Sequence, residues 1–296
     1  MEGEKEIRYA VVTGGNKGIG YGVCKKLATR EVKVVLTARD EKRGLEALEN
    51  LKQEIGVSDF VVFHQLDVTD PTSIASLTHF ITATFGKLDI LVNNAAVSGG
   101  KISDPDAFIK KRNSADIDWD KVGFQTYEMA QQCVQTNFYG TQRTMEALLP
   151  LLHLSSSPTI LNVSSQAALL KNIQNEWARG VLSDIESLNK EKIDEVIEEF
   201  LKDFKEGSLK IKGWPNFASA YVVSKVAVNA YTRLLATKFP NVHMNCVCPG
   251  FVKTDMTNNL GTTSVDEAAE TLANIALLTD AATSGLFFSK DGVIPF

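Results

Sequence analysis

The fold of this chain is decided by residues 7–20, which read IRYAVVTGGNKGIG. The first seven of them are mostly apolar or β-branched, as in a buried strand. A glycine-rich turn follows, and then a helical pattern with Val23, Leu27 and Ala28 on one face. A strand, a glycine turn and a helix in this order form a unit that binds a dinucleotide pyrophosphate at the helix N-terminus. The alternative interpretation is a plain glycine-rich turn.

Three glycines would have separate roles in such a unit. Gly14 permits a tight turn, Gly18 lets a pyrophosphate approach the backbone, and Gly20 lets the helix pack closely on the strand. Their spacing is Gly-x-x-x-Gly-x-Gly, whereas ordinary Rossmann dehydrogenases have Gly-x-Gly-x-x-Gly. The other residues of the turn that we expect to contact the nucleotide are Asn16, Lys17 and Ile19.

The end of the second predicted strand, Lys33–Ala38, indicates which nucleotide binds. An NAD site usually has an acidic residue there, which binds the ribose 2′-hydroxyl. This chain has Arg39 instead, and a guanidinium binds phosphate oxygens. Lys17 adds a second positive charge, while Asp40 lies one residue later and is directed elsewhere. We therefore predict NADP(H) over NAD(H), the alternative being that both cations are solvated on the surface.

Two further strand ends fit the same ligand. Asp67 and Val68 follow the third predicted strand, where the carboxylate of Asp67 can accept a hydrogen bond from the adenine amino group. Asn93 and Ala95 follow the fourth strand. An asparagine side chain can brace neighbouring strand ends, and a small residue leaves room for the adenine ribose. Two consecutive asparagines can equally form an ordinary turn.

Tyr221 and Lys225 are four residues apart in a predicted helix, so their side chains lie on one face. A neighbouring ammonium favours the phenolate and lowers the pKa of a tyrosine from its usual value of about 10. Such a tyrosine can give a proton to a carbonyl oxygen or take one from an alcohol. The spacing alone also arises by chance and in core packing.

Ser164 and Ser165 follow the predicted strand Thr159–Val163. At the end of a strand in an α/β sheet, a hydroxyl faces the crevice where ligands bind. We prefer Ser165, although strand alternation alone allows either. The chain has no Gly-x-Ser-x-Gly elbow, so a hydrogen bond that polarises a carbonyl is a simpler role than nucleophilic attack.

Asn137 lies within a long helical pattern from 124 to about 149. Asparagine is mildly unfavourable inside a helix, because its side chain competes for backbone hydrogen bonds. A buried water or a backbone carbonyl in a proton relay would offset that cost. A core asparagine whose hydrogen bonds are all satisfied is the alternative.

A turn at Pro249 and Gly250 follows the strand that contains Cys246 and Cys248. We expect the loop after it to cover a nicotinamide ring, with Val252 and Thr254 at the amide end. An ordinary strand exit is the alternative. No Cys-x-x-Cys or matching histidine pair occurs, so the cysteines are better explained as small buried side chains than as a metal site.

These sites occur along the chain in one order, and the combination resembles the short-chain dehydrogenase/reductase family over nearly the whole sequence. The resemblance implies an α/β fold with a single Rossmann-type, doubly wound parallel sheet, which the alternating strand and helix patterns also favour. It implies a catalytic tetrad, which would comprise Asn137, Ser165, Tyr221 and Lys225. It also implies that Lys225 holds the ribose hydroxyls and that Asn137 holds a water linking Lys225 to solvent.

One departure from the ordinary family is informative. Tyr221 follows Ser165 by 56 residues, whereas the ordinary separation is about a dozen. The extra stretch, about 175–217, resembles that of the monomeric carbonyl reductases and the plant salutaridine and menthone reductase group. This likeness implies NADPH-dependent reduction of a ketone on a hydrophobic metabolite, or the reverse alcohol oxidation. Some relatives replace the tyrosine and reduce a carbon–carbon double bond, so Tyr221 favours carbonyl reduction.

The insertion contains a predicted helix between a candidate N-cap, Asn189, and a candidate C-terminal residue, Gly207. Its apolar stripe at helical spacing comprises Ile193, Val196, Ile197, Phe200, Leu201 and Phe204. A helix in this place would obstruct the subunit interface of the classical family, so we predict a monomer. The insertion could equally act as a flap over the substrate. The predicted pocket residues are Val97, Ala167, Leu169, Trp214, Phe217 and Met256.

The composition suits one globular domain over residues 1–296, with 44% hydrophobic residues and a net charge of −5. The mild acidity gives no support for nucleic acid or an anionic membrane as a partner. The charged start of the chain has no signal-like apolar run, so we expect a cytoplasmic protein. A non-catalytic NADPH-binding regulator would not need Ser165, Tyr221 and Lys225 together. A Rossmann-like methyltransferase would need an acid where Arg39 lies.

Overall fold

The computed structural model describes residues 6–56, 58–111, 122–278 and 283–296. The strands are β1 Tyr9–Val12, β2 Lys33–Ala38, β3 Val61–Gln65, β4 Ile90–Asn93, β5 Lys101–Ile102, β6 Gly123–Phe124, β7 Thr159–Val163, β8 His243–Val247, β9 Phe287–Ser289 and β10 Gly292–Ile294. The helices are α1 Gly18–Ala28, α2 Glu41–Ile55, α3 Pro71–Phe85, α4 Pro105–Lys111, α5 Tyr127–Val134, α6 Thr141–Leu152, α7 Glu176–Ser183, α8 Lys190–Lys205, α9 Ser219–Lys238 and α10 Val265–Ala276.

Eight of the strands in the described part of the chain form one sheet, in the order β3-β2-β1-β4-β7-β8-β9-β10. Every neighbouring pair is parallel except β9 and β10, which are antiparallel. One apolar core lies under α1, α2 and α10, and a second core lies under α3, α5, α6, α8 and α9. Helices therefore cover both faces, which confirms the doubly wound Rossmann-type sheet; the antiparallel edge strand was not predicted.

Most of the helices begin at a side chain that caps them. Asp40 accepts a hydrogen bond from the Arg43 N–H and starts α2, and Asn189 accepts one from Lys192 N–H and starts α8. Such caps satisfy backbone donors that have no partner inside the helix. In the two helices at the predicted site, α1 and α9, the N-cap side chain accepts no hydrogen bond from a backbone N–H of the first turn. Their first-turn donors are thus left for other partners.

The helical pattern predicted from 124 to about 149 is α5 and α6 joined by a π-helical turn, Gln135–Gly140. The helix begins at Tyr127, because Thr126 caps it, and continues to Leu152. A π-turn accommodates one extra residue and frequently marks a functional site. Gly140 ends the turn against Val68, where a Cβ would lie 2.7 Å from the Val68 Cγ2 atom.

The insertion forms α7 and α8, and α8 packs against both α5 and α9. Asn189 and Gly207 bound α8 as predicted, with Gly207 at φ +69°. Within its predicted apolar stripe, Val196 and Phe200 are at most 1% exposed. The stripe therefore faces the helices of the catalytic half.

The four cysteines are free and buried. Among the described residues, there is no cluster of side chains that could hold a metal ion. No helix within that part of the chain is long and apolar enough to cross a bilayer.

Candidate active site

The carboxyl ends of parallel strands bring the predicted site residues to one edge of the sheet. Gly14 follows β1, Arg39 follows β2, Ser165 lies just beyond β7, and Pro249 lies just beyond β8. Asn93 is the last residue of β4. In open α/β sheets this edge is where ligands bind.

The glycine turn requires its glycines for reasons of space and backbone conformation. Gly14 and Gly18 have φ values of +64° and +56°, which other residues rarely adopt. A Cβ on Gly20 would lie 2.4 Å from the Gly14 carbonyl oxygen. Gly14 itself lies against Ala95, whose Cα would be 3.1 Å from an added Cβ. The turn is therefore packed as the sequence predicts.

The N-terminus of α1 is suited to an anion. Lys17 occupies the N-cap position with extended backbone, makes no capping bond with its side chain, and no acidic residue lies in the first turn. The backbone N–H groups and the positive end of the helix dipole are available to a phosphate. Asn16, Lys17 and Gly18 also line a cleft of about 540 Å³ that α2 borders on the other side. Ile19 packs against the core beneath the turn.

Cations surround this end of the sheet. Lys17 Nζ lies 2.7 Å from Asp255 of the loop after β8, and both side chains are largely exposed. Arg39 is exposed at the end of β2, and its carbonyl accepts a hydrogen bond from Gln65. Asp40 uses its carboxylate to cap α2, as expected from its place one residue later. The end of β2 thus presents a guanidinium instead of the carboxylate of an NAD site.

Asparagines join three strands under the site. Asn93 Nδ2 donates to Asn162 Oδ1 at 2.8 Å, which links β4 to β7. Asn94 Nδ2 donates to the carbonyls of Thr13 and Gly14 at the end of β1. The pair is therefore a brace between strand ends and not an ordinary turn.

Asp67 forms a turn of its own. Its Oδ1 accepts hydrogen bonds from the backbone N–H and the hydroxyl of Thr69. Val68 is 7% exposed and packs on Gly140 of the π-turn. The adenine contact predicted for Asp67 would have to be made beside this turn.

Three predicted catalytic groups from separate segments lie together. Lys225 Nζ donates to the Val163 carbonyl at 2.6 Å and lies 5.9 Å from the centroid of the Tyr221 ring. The Ser165 side chain lies near enough to the Tyr221 phenol to lower the pKa of that phenol. Ser165 also accepts from the Ala167 N–H, which fixes its position at the start of a 3₁₀ turn. A hydroxyl, a phenol and an ammonium therefore meet at the carboxyl end of β7.

The electrostatics of this cluster differ from our expectation. Burial raises the pKa of the Tyr221 phenol, and the neighbouring Ser165 side chain opposes that shift only in part. Burial also lowers the pKa of the Lys225 ammonium to about 8. The lowered pKa that we expected for Tyr221 is thus not found, because burial disfavours the charged form of the phenol.

Asn137 lies fully buried in the π-turn and binds the backbone of Val97. Its Oδ1 accepts from the Val97 N–H at 2.8 Å, and its Nδ2 donates to the Val97 carbonyl at 3.0 Å and to Ser224 Oγ at 3.1 Å. The Asn137 carbonyl accepts from the Thr141 hydroxyl. The side chain therefore clamps the exit of β4. The water-binding role that we expected for Asn137 stays a prediction.

Sequence analysis missed the two side chains that complete this clamp. Ser224 donates to the Tyr221 carbonyl at 2.8 Å, and Cys133 Sγ receives the Asn137 amide at 3.2 Å. Ser224 lies one turn after Tyr221, which is a signal that could have indicated it. Cys133 lies four residues before Asn137 on the same helical segment, and that spacing is a signal of the same kind.

The loop after β8 approaches the glycine turn. Gly250 has φ +84°, and Val252 is 2% exposed. The Thr254 methyl group would lie 3.4 Å from a Cβ on Gly18. Pro249, Gly250, Val252 and Thr254 thus form a loop that returns to the place where the phosphate would bind.

The predicted pocket residues differ in their burial and in the residues that they contact. Val97, Ala167 and Leu169 are half-buried next to the catalytic cluster, and Met256 is 42% exposed. The Phe217 ring lies 5.7 Å from that of Phe108, which in turn lies 6.2 Å from that of Phe251. Phe108 and Phe251 were not predicted.

Trp214 does not belong with these residues. It is 3% exposed and donates its indole N–H to Asp203 of α8 at 2.8 Å. Its ring packs on Phe200 within the insertion. The prediction that Trp214 lines the pocket is therefore wrong, because a buried carboxylate draws the indole into the insertion.

Comparisons with known proteins show the family to which this chain is similar. Residues 8–177 match the short chain dehydrogenase family, and residues 207–291 match a family described as enoyl-(acyl carrier protein) reductase. The chain is 53% identical over 295 residues to (+)-neomenthol dehydrogenase of Arabidopsis thaliana, covering 99% of each protein. It is 36% identical over 298 residues to carbonyl reductase (NADPH) 1 of Rattus norvegicus, covering 97% of this chain and 98% of that one.

A solved structure is similar over the same length. Salutaridine reductase of Papaver somniferum superimposes with a TM-score of 0.88 at 45% sequence identity, covering 95% of this chain and 99% of that one. Its likeness extends through the insertion that precedes the tyrosine. The resemblance seen in the sequence is confirmed, and the chain belongs to the short-chain dehydrogenase/reductase family of oxidoreductases.

Proposed function

We propose that this enzyme uses NADPH to reduce a ketone on a bulky hydrophobic small molecule, or oxidises the corresponding alcohol in reverse. The observation that carries the proposal is the meeting of Ser165, Tyr221 and Lys225 at the carboxyl end of β7. A phenol beside a second hydroxyl can protonate a carbonyl oxygen while that hydroxyl stabilises the developing charge. A binding protein without catalysis has no use for this arrangement.

The residues present fit an NADP(H) molecule. The uncapped N-terminus of α1 suits the pyrophosphate, and Arg39 with Lys17 suits a 2′-phosphate. Asp40, the acidic residue after Arg39, uses its Oδ1 atom to cap α2. The Rattus relative carries NADPH in its name. These observations support NADP(H) over NAD(H).

A nicotinamide bound here would supply the hydride for the carbonyl carbon. Tyr221 gives its proton to the carbonyl oxygen, and its raised pKa keeps that proton in place at neutral pH. Ser165 donates a hydrogen bond to the same oxygen. Lys225 holds the ribose hydroxyls, and Asn137 keeps Val97 and the end of β4 in register with α9.

The substrate class is proposed from the mouth of the site and from the relatives. Three phenylalanines form an aromatic cluster, Phe108, Phe217 and Phe251, and Phe217 lies four residues before Tyr221. The named relatives are a neomenthol dehydrogenase and a salutaridine reductase, which supports a terpenoid or alkaloid substrate of specialised metabolism. We also propose that the insertion, about 175–217, borders the substrate pocket.

We also propose that the enzyme acts as a monomer in the cytosol. In the insertion, α8 covers surfaces of α5 and α9 that would otherwise be open to a second subunit. Ile193 and Phe200 are fully buried in that contact. Four free cysteines suit a reducing compartment. A dimeric or tetrameric mass by light scattering after size-exclusion chromatography would contradict the monomer.

The function is tested by NADPH consumption with monoterpenoid, alkaloid and simple aromatic ketones, using the native protein and Tyr221→Phe. We expect turnover with at least one bulky ketone and a loss of about 10²- to 10⁴-fold in kcat for the variant. The dissociation constant for NADPH should stay near the native value. Retained turnover in Tyr221→Phe, or none by the native protein on any ketone, would exclude the proposed chemistry.

A further inference from the structure

A buried carboxylate fastens the end of the insertion to α8. Asp203 is 1% exposed, although the outer face of its helix is solvated. Its Oδ2 accepts from Trp214 Nε1 at 2.8 Å, and its Oδ1 accepts from Ser208 Oγ at 3.2 Å. Lys212 Nζ lies 3.6 Å from Oδ1. All three partners belong to the segment that leads from α8 back towards the catalytic helix.

A second fastening joins the two ends of the insertion. The Asn175 N–H donates to the Gly213 carbonyl at 2.7 Å, and Asn175 Nδ2 donates to the Lys212 carbonyl at 2.8 Å. Gly213 has φ +75°, and a Cβ there would lie 2.9 Å from the Asn175 nitrogen. The insertion is thus closed at its base, with no free hinge on the side of Trp214.

The chain runs from this fastening directly into the active site. Only four residues separate Trp214 from Ser219, where α9 begins. One of them, Phe217, packs on Phe108 of α4. Another, Ala218, has φ +47°, a left-handed conformation that persists in a non-glycine residue only when its surroundings enforce it. The position of Trp214 therefore limits where the first turn of α9 can lie.

We propose that Asp203 is a positioning residue for Tyr221 and Phe217. Acting through Trp214, it holds the insertion as a fixed wall of the pocket and sets the start of α9. A buried hydrogen bond to a charged acceptor is about twice as strong as a neutral one, so this single contact can hold the segment. The kinetic part of this inference rests on the proposed ketone reduction; the structural part does not.

The kinetic test uses Asp203→Leu, Asp203→Asn and the control Glu195→Gln. Glu195 is an exposed carboxylate on the same helix, so its variant changes the same charge without touching the fastening. We expect Asp203→Leu to lower kcat about tenfold and to raise KM for the ketone, since small displacements of catalytic groups are costly. Asp203→Asn retains an acceptor oxygen for the indole and should restore most of kcat. The dissociation constant for NADPH should not change, because the glycine turn lies on other elements.

Backbone hydrogen exchange in the absence of substrate gives a readout that does not depend on turnover. We expect the amides of residues 219–224 to exchange faster in Asp203→Leu and in Trp214→Phe than in the native protein. Trp214→Phe keeps an aromatic ring but loses the indole donor. Asp203→Asn and Glu195→Gln should exchange as the native protein does. If Asp203→Leu does not fold, Trp214→Phe compared with the native protein decides the question.

The inference is overturned if exchange at residues 219–224 is native-like in Trp214→Phe, or if Asp203→Asn is as impaired as Asp203→Leu. It is also overturned if residues 208–218 exchange freely in the native protein, because the insertion would then be a hinged flap. Weaker NADPH binding in parallel with kcat would show general destabilisation and would overturn it as well. Failure of every ketone with the native protein would reject the proposed function but would leave the exchange result to judge the role of Asp203.

Discussion

The two helices that meet at the active site, α1 and α9, both begin without a capping side chain, but their starts are built differently. The start of α1 is made by consecutive residues, with Lys17 extended and two glycines in left-handed conformation. The start of α9 follows Ala218 and is served from afar by Gln125, whose Oε1 lies 3.4 Å from the Ala220 nitrogen. The nucleotide end is thus specified locally, whereas the substrate end depends on contacts between distant segments.

The variant with the largest expected effect is Gly20→Ala, at the locally specified start of α1. The new Cβ would lie 2.4 Å from the Gly14 carbonyl and 2.5 Å from Asn94 Nδ2, so α1 must move off β1. We expect a loss of at least about 3 kcal/mol in the free energy of unfolding, and loss of NADPH binding. Gly180→Ala is the control, because nothing lies within 4 Å of a Cβ at that position. Since alanine favours a helix over glycine, this variant should raise the free energy of unfolding by about 1 kcal/mol. Equal effects of the two variants, measured by denaturant unfolding, would contradict the close packing of the turn.

Lys225→Met should separate stability from activity in the catalytic helix. Burial lowers the pKa of Lys225 from 10.5 to about 8, so the charged form destabilises the fold below pH 8. Removing it should raise the free energy of unfolding by about 2 to 3 kcal/mol at pH 7 while activity is lost. The gain should shrink as the pH rises from 8 towards 10.5, where the unfolded lysine also loses its proton. Thermal unfolding of both proteins without added nucleotide across this range measures it, and a gain that grows with pH would refute the lowered pKa.

Arg39→Asp tests the cofactor preference predicted from the side chain that follows β2. The variant replaces a guanidinium with the carboxylate that usually binds a ribose 2′-hydroxyl. We expect the ratio of kcat/KM for NADPH to that for NADH to fall by about 10- to 100-fold, the contribution of a hydrogen bond to a charged group. Lys52→Ala, which removes a half-buried cation near the end of α2 that pairs with Glu49, should leave the ratio unchanged. An unchanged ratio in Arg39→Asp would place Arg39 on the solvated surface.

The smallest expected effect concerns the distant support of α9. Gln125→Ala removes the acceptor near the Ala220 N–H and should cost about 1 kcal/mol in the free energy of unfolding, as loss of a helix cap does. Gln125→Glu keeps an acceptor and should cost less. Gln132→Ala, an exposed position on α5, is the matched control. If both alanine variants cost the same, the start of α9 does not depend on Gln125.

Local patterns made part of this molecule predictable. The glycine turn, the pairing of Tyr221 with Lys225 and the cap at Asn189 all follow from spacing along one segment. The hydrogen bonds of Asn137, the π-turn around it and the burial of Trp214 on Asp203 depend on segments that meet only in the folded chain. The pKa of Tyr221 was missed for a related reason: spacing shows which charge is near, but only the fold shows how much water is removed.

The π-turn between α5 and α6 makes the length of this helix as important as its composition. Deleting one residue from Gln135–Gly140 would restore an ordinary helical turn, yet it would rotate all later residues by about 100° relative to the earlier ones. Asn137 faces Val97, while Gly140 faces Val68, which lies just beyond β3. After that rotation, at least one of these two contacts would be lost. An insertion or deletion in the π-turn would therefore misalign the residues before it with those after it. Many substitutions on the exposed face of the helix would leave this alignment unchanged.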